Sequence, residues 1–325
     1  MQIIKDFSAI LAEIILSIQG EIINFVKQSK LNANMKKTAS SILLLLCIFI
    51  SAKAQIFYKV SGNGLEKPSY LFGTHHLAPL SVFTEDKSAT EAFASSSQIV
   101  GEIDMTINQM EMAMKMQPYM MAPSDSTLSK VIPTDKFTEA DSLLQNILKM
   151  PGITLKAFDM LKPMAVTQQI NIAVMMQNMP DFKANEQLDS HFQKSGMASG
   201  KKIVALETIE QQADLLFCAR SIRSQANDLL EILYNPQEII SEAKKLNEAY
   251  FSKDLDALYQ LAKNEDSDPW IFEKLLIERN ENWIKLLPEI MKSESSFIAV
   301  GCLHLVGEHG LVTQLRNLGY TVEAQ

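Results

Sequence analysis

The sequence predicts an α/β fold: a central, mostly parallel or mixed β-sheet with large helical insertions. Three observations carry this. Short apolar runs of strand length recur along the chain, long stretches between them read as helix, and two runs end on the same signature. In "YLFGTHHLAP" and in "FIAVGCLHLVGEHG" an apolar run stops at a glycine and meets a histidine three residues later. Strands separated by helical insertions imply a layered α/β domain, and sites in such sheets gather where strands end and loops begin.

The elements follow in order. Residues 56–60 and 70–72 read as two strands joined by the turn-rich "SGNGLEKPS". Residues 99–103 ("IVGEI") form a buried type of strand, and 202–206 ("KIVAL") and 297–300 ("FIAV") are others. Residues 320–323 close the set. The stretches 107–195 and 208–293 read mainly as helix, with expected breaks at Pro118, Pro123, Pro151, Pro180 and Pro269. They form a helix-rich middle that packs on the sheet or caps it.

The first 54 residues stand apart from this fold. From Met35 the chain reads "MKKTASSILLLLCIFISAKAQ", with a basic start, an apolar core and an A-x-A site before Gln55. This is the pattern of a secretory signal peptide. Its apolar core is about half the ~20 residues a membrane-spanning helix needs. Residues 35–54 are therefore expected to be cleaved, and 55–325 to form a single domain that is periplasmic or extracellular. Residues 1–34 form an N-terminal extension, read either as an upstream start or as an amphipathic surface helix.

The chain has 325 residues and a net charge of −8. Residues 1–54 hold six lysines and three acids, so the remainder carries 24 basic and 35 acidic residues, a net of −11. Such a balance argues against nucleic acid or an anionic membrane as partner. Beyond residue 54 only Cys218 and Cys302 remain, so there is no disulfide framework, and a bridge between those two is the less favoured reading.

Two of the five histidines, His76 and His304, leave loops just past strand ends. Neutral imidazole is the commonest metal ligand, and a third ligand is usually a carboxylate or another histidine. Glu102 in "VGEID" is the candidate, because an acid inside an apolar strand is costly unless paired or metal-bound. Asp104, two residues on, is expected on the same face. A histidine near a strand end is also often a hydrogen-bonded core residue, and a lone glutamate often pairs with arginine. Both bland readings stand beside the metal reading.

Five segments carry a family resemblance: "LFGTHH", "VGEID", "LETIEQQ" (206–212), "RNENW" (279–283) and the nearly continuous motif from Val300 to Val322. In this order the chain resembles the TraB/GumN family, whose animal relatives are the Tiki proteases. The resemblance implies an α/β core of the erythromycin-esterase-like and ChaN-like (EreA/ChaN-like) kind. It implies metal-dependent proteolysis in which His76, His304 and Glu102 are required, with manganese, cobalt or zinc as the divalent ion. His75 departs from the pattern, which usually has an apolar residue there. Cys302 lies inside the second motif and offers a soft ligand.

Three more residues are candidates for catalysis. Glu207 follows "KIVAL" at a strand end and is read as a general base, a further ligand or a cap for the helix starting near Ile209. Asp104 is the other candidate for carrying a proton. Arg279 suits bidentate contact with a carboxylate or substrate, or else a structural ion pair with Glu207 or Asp104. Trp283 is expected in the core. The methionine-rich run 105–121 is read as core or groove lining, not as a copper site. His191 and His309 lack a supporting motif, though His309 has a possible supporting role to His304.

The functional expectation is a secreted metal-dependent hydrolase acting on a peptide or protein, with no stable membrane insertion after cleavage. The metal would activate water and polarise the scissile carbonyl. The alternative is a non-catalytic protein on the same fold that binds a peptide, a metal or haem. Haem would need an exposed axial ligand beside an apolar slot.

Overall fold

The structure is a computed structural model that describes residues 55–325 apart from 151, 181, 184, 185 and 264–268. The signal-peptide reading, the reading of 1–34 and the break at Pro151 lie outside the described residues. Among the described residues no helix is long and apolar enough to cross a membrane.

The fold is α/β, built on a six-stranded mixed sheet. Its strands are β1 (Phe57–Ser61), β2 (Ser69–Thr74), β3 (Gln98–Gly101), β4 (Lys202–Ala205), β5 (Ser296–Gly301) and β6 (Thr321–Ala324), in the order β4-β3-β5-β2-β1-β6. β2, β5, β3 and β4 run parallel, and β1 pairs antiparallel with both β2 and β6. The carboxyl ends of four neighbouring strands therefore share one edge, and both Gly-x-x-His segments leave from it. Each expected strand is present within a residue or two. The exception that matters is β3, which ends at Gly101 instead of running to residue 103. Glu102 thus stands just beyond the strand, where its carboxylate can turn to partners that a fully paired strand would deny it.

Side chains alternate across the sheet as the period of two requires. Phe57, Phe72 and Phe297 share one face, where they meet Phe83, Phe93 and Phe192 with ring centroids 4.7–6.3 Å apart. The helix Leu188–Ala198 lies on this face. Its buried positions Leu188, Phe192, Gln193 and Gly196 form one stripe. Gly196 brings the helix close to β3, since a Cβ there would stand 2.4 Å from Ile99 Cγ1.

The helix Glu278–Ser293 buries Asn280, Trp283, Leu287 and Met291 on one face. A π-helical turn, Glu273–Ile277, precedes it. A second, wholly helical core joins Leu128, Leu144, Leu155, Ile170, Leu229 and Leu233. It gathers the helices Thr134–Leu148, Pro163–Asn178 and Ile222–Tyr234. Pro118 does not break its helix: Gln109–Met120 runs through it. The proline sits in the last turn, so little hydrogen bonding beyond it is lost. On that helix Met116 and Met120 pack inward, whereas Met110 and Met114 are exposed.

Candidate functional site

The repeated glycines have a packing cause. A Cβ on Gly73 would stand 2.9 Å from Leu305 Cδ1 and 3.0 Å from Cys302 Cα, so the first motif can cross the second only without a side chain. Gly301 plays the partner role: its amide donates to Glu102 Oε1 at 2.9 Å. Thr74 is in register with Gly301 on the neighbouring strand, which sets the two motifs side by side.

Beyond this edge four polar side chains converge. Arg279 Nη2 donates to Glu102 Oε2 at 2.6 Å and to Glu207 Oε1 at 2.7 Å, while its Nε reaches Glu207 Oε2 at 3.2 Å. Gln212 Nε2 donates to Glu207 Oε1 at 3.0 Å and Glu102 Oε2 at 3.3 Å. Gln212 is delivered by the helix Ile209–Cys218, which starts on a reciprocal cap between Thr208 and Gln211. The cap is Thr208, which leaves Glu207 free for Arg279. Glu207 N also donates to Glu102 O at 2.9 Å, so the two carboxylates are tied by backbone as well.

His304 is almost fully buried, with its ring 4.4 Å from that of Trp283. Asn280 Nδ2 donates to the carbonyls of His304 (3.1 Å) and His309 (2.9 Å). Its Oδ1 is therefore the atom facing His304 Nδ1 at 2.7 Å, and that nitrogen carries the proton. Nε2 is left with its lone pair. It accepts from Arg279 Nη1 at 3.0 Å and stands 3.8 Å from Glu102 Oε1. His309 thus supports His304 through its carbonyl, by way of Asn280. Trp283 is in the core as expected, and it also lies under the Arg279 guanidinium at 4.5 Å.

The charges follow from these contacts. Burial pushes Glu102 up, but the Arg279 guanidinium, His304 and the Gly301 amide outweigh it and hold the carboxyl down at about 2. Burial, with Arg279 adding to it against the pull of Glu102, brings His304 down to about 3, so the ring is neutral at neutral pH. Burial pulls Arg279 down, and Glu102 and Glu207 more than restore it.

His76 stands at the end of the neighbouring strand with its side chain 76% exposed. Its Nδ1 faces Asp189 Oδ2 at 3.8 Å. Asp189 is mostly buried in the first turn of the helix Leu188–Ala198 and accepts from Thr74 Oγ1 at 2.7 Å on Oδ1. Its Oδ2 is buried without a hydrogen-bond partner. Burial raises this carboxyl, His76 draws it down and Glu102 raises it, so the two acids sense each other.

Other expectations fall outside the cluster. Asp104 accepts from Thr106 N (2.8 Å) and Oγ1 (2.6 Å) and makes no contact with Arg279, because β3 ends before it and the loop turns it aside. His75 holds Asn247 Oδ1 at 2.7 Å and packs on Tyr250, and burial brings it down to about 4. Tyr250 in turn donates to Gly73 O at 2.9 Å. Cys302 is buried and its thiol is pushed up to about 12 by burial, so it stays protonated. Cys218 and Cys302 are both free. His191 packs beside Phe83 and Phe192.

Sequence reasoning missed three residues of this edge. Asp189 has no motif of its own, and Thr74, though inside "LFGTHH", carried no assigned role. Buried Gln193 accepts from Met105 N at 2.8 Å and donates to Ile103 O at 2.9 Å, which fixes the loop that carries Glu102. Asn280 lies inside "RNENW", a signal that was present but unread.

The profile of the TraB/PrgY/gumN family matches residues 56–324. Metalloprotease TIKI2 of Danio rerio is 21% identical over 302 residues, a match covering 79% of this chain and 58% of the relative. The chain therefore spans less than two thirds of that relative's length. No solved structure shows a significant match.

Proposed function

Because the chain belongs to the TraB/PrgY/gumN family, we propose that residues 55–325 form an exported, metal-dependent hydrolase that cleaves peptide bonds. The observation that carries this reading is the convergence of Glu102, Glu207, Arg279 and His304 at the carboxyl edge of the parallel strands, the edge from which the segment carrying His76 also leaves. The name of the Danio rerio relative supports the reaction class.

Among the described residues no group of three or more His, Cys, Asp or Glu side chains is arranged to hold a metal ion. The donors nonetheless fit one in kind. His304 presents an unprotonated Nε2, and Glu102 is an anion. His304 and Glu102 would hold the ion, with His76 from the adjacent strand. When bound, it supplies Lewis-acid polarisation of a carbonyl and activation of water.

The protein's own groups prepare that chemistry. Asn280 fixes the His304 tautomer, as partners of ligating histidines generally do. Arg279 bridges Glu102 and Glu207 and holds the Glu102 carboxyl ionised in a confined space. It also donates to the His304 lone pair, so that bond and a cation on Nε2 exclude one another. Glu207 gives both oxygens to Arg279 and Gln212. It is therefore either the clamp on Arg279 or a proton acceptor that must first release a partner.

The test is bound metal and peptide hydrolysis measured together, with manganese, cobalt or zinc added to wild type, His76→Ala, His304→Ala and Glu207→Gln. Both histidine variants should lose metal and activity. Glu207→Gln should keep the metal and lose ~10²–10⁴-fold in rate if it carries the proton. Wild-type-like activity in His304→Ala would refute the shared site. A visible haem spectrum without hydrolysis would favour the binding-protein alternative.

A further inference from the structure

The two Gly-x-x-His segments repeat more than a histidine. In the second, the ring is set by a side-chain oxygen from a packed helix: Asn280 Oδ1 takes Nδ1–H and leaves Nε2 for the site. The first segment has a counterpart. Asp189, from the helix Leu188–Ala198, sets Oδ2 at 3.8 Å from His76 Nδ1. We infer that Asp189 is a positioning residue for His76, taking Nδ1–H on its unpartnered Oδ2 and turning Nε2 outward.

Four features of the edge support the pairing. Oδ2 is buried and has no hydrogen-bond partner, a costly state for a carboxylate oxygen. Oδ1 is already taken by Thr74 Oγ1 at 2.7 Å, so the carboxylate plane is fixed and Oδ2 is the atom left over. Thr74 and His76 are two residues apart at the same strand end, so anchor and ring move together. His76 is 76% exposed and makes no other polar contact among the described residues, so its ring is free to close the ~1 Å that separates 3.8 Å from a normal bond. A carboxylate behind a ligating histidine fixes its tautomer and raises its basicity.

The importance of the pair rests on the hydrolase reading, but its test does not. The neutral histidine side chain in water carries its proton mainly on Nε2, so a proton on Nδ1 is informative. The metal-free protein is isotope-labelled at histidine and the ring nitrogens are observed by NMR at neutral pH, with His76→Gln assigning the signal. In wild type the neutral His76 ring should carry its proton on Nδ1. In Asp189→Asn, Thr74 claims the single remaining oxygen and the amide nitrogen faces the ring, so the proton should move to Nε2. His304 should be unaffected, which controls for the fold.

A wild-type ring protonated on Nε2, or a His76 tautomer unchanged in Asp189→Asn, overturns the pairing. If Asp189→Asn does not fold, the wild-type tautomer decides alone. Zinc titration gives a second readout, with binding to Asp189→Asn expected to be roughly 10–100-fold weaker. Absence of zinc binding by wild type would overturn the metal-site reading and leave the tautomer to decide the pair.

Discussion

Arg279→Met removes one cation from between two carboxylates and keeps most of the side-chain volume. The magnitude follows from Glu102. Its carboxyl sits at about 2 instead of 4.5 although burial pushes the other way. A shift of that size is worth about 3 kcal/mol at neutral pH. Losing one partner of a buried pair generally costs about 3–5 kcal/mol, because the remaining charge is stranded. Here two are stranded, since Glu207 also relies on Arg279. The dependence on pH changes as well. In wild type the folded value lies below the unfolded one, so the stabilisation is full above pH 4.5 and is lost as pH falls toward 2. In the variant, burial acts on Glu102 without the guanidinium, and with only His304 and the Gly301 amide left to hold it down its folded value moves up. Glu102 then contributes less at neutral pH, and the difference from wild type narrows as it is protonated. Urea unfolding from pH 4 to 8 should show Arg279→Met about 3–5 kcal/mol less stable at pH 7, with the deficit shrinking toward pH 4. A deficit under about 1 kcal/mol, or one independent of pH, would refute the reasoning.

His304 and His75, brought down to about 3 and about 4, bind protons more readily when unfolded, so their contribution is present above pH 6.5. It is lost as pH falls through 6.5 toward those values, and stability measured between pH 7 and 4 should decline before Glu102 titrates. Gly73→Ala places a Cβ 3.0 Å from backbone of Cys302, and denaturant midpoints should report a cost of about 1–3 kcal/mol. Protein secreted by the native host should begin at Gln55 by mass spectrometry, and an intact Met1 there would contradict the signal-peptide reading.

The strands were legible because each is a short apolar run bounded by a glycine or a turn. Their spatial order was not, since nothing local in "IVGEI" says that β3 pairs with β5 instead of β2. Glu102 was read as a strand residue because the apolar run continues through Ile103. The structure ends β3 earlier and turns the loop on Gln193. The pairing of Arg279 with Glu207 was one of two options the sequence left open, and the contact with Glu102 came in addition. Asp104 was not chosen, because its own turn with Thr106 satisfies it. Asp189 and Gln193 were invisible for a physical reason: both act on a sheet edge distant in sequence, and only the packing of their helix brings them there.

The contrast between the two cysteines gives the edge a clock. Cys218 is exposed, whereas Cys302 is buried against Gly73 with a thiol that does not ionise near neutral pH. A thiol reagent should therefore label one site at once and the other only when the two motifs part. At saturating reagent the slow phase measures how often the edge opens, and comparing its rate with that of global unfolding separates local opening from loss of the fold. Added zinc should slow that phase if a cation bridges the motifs.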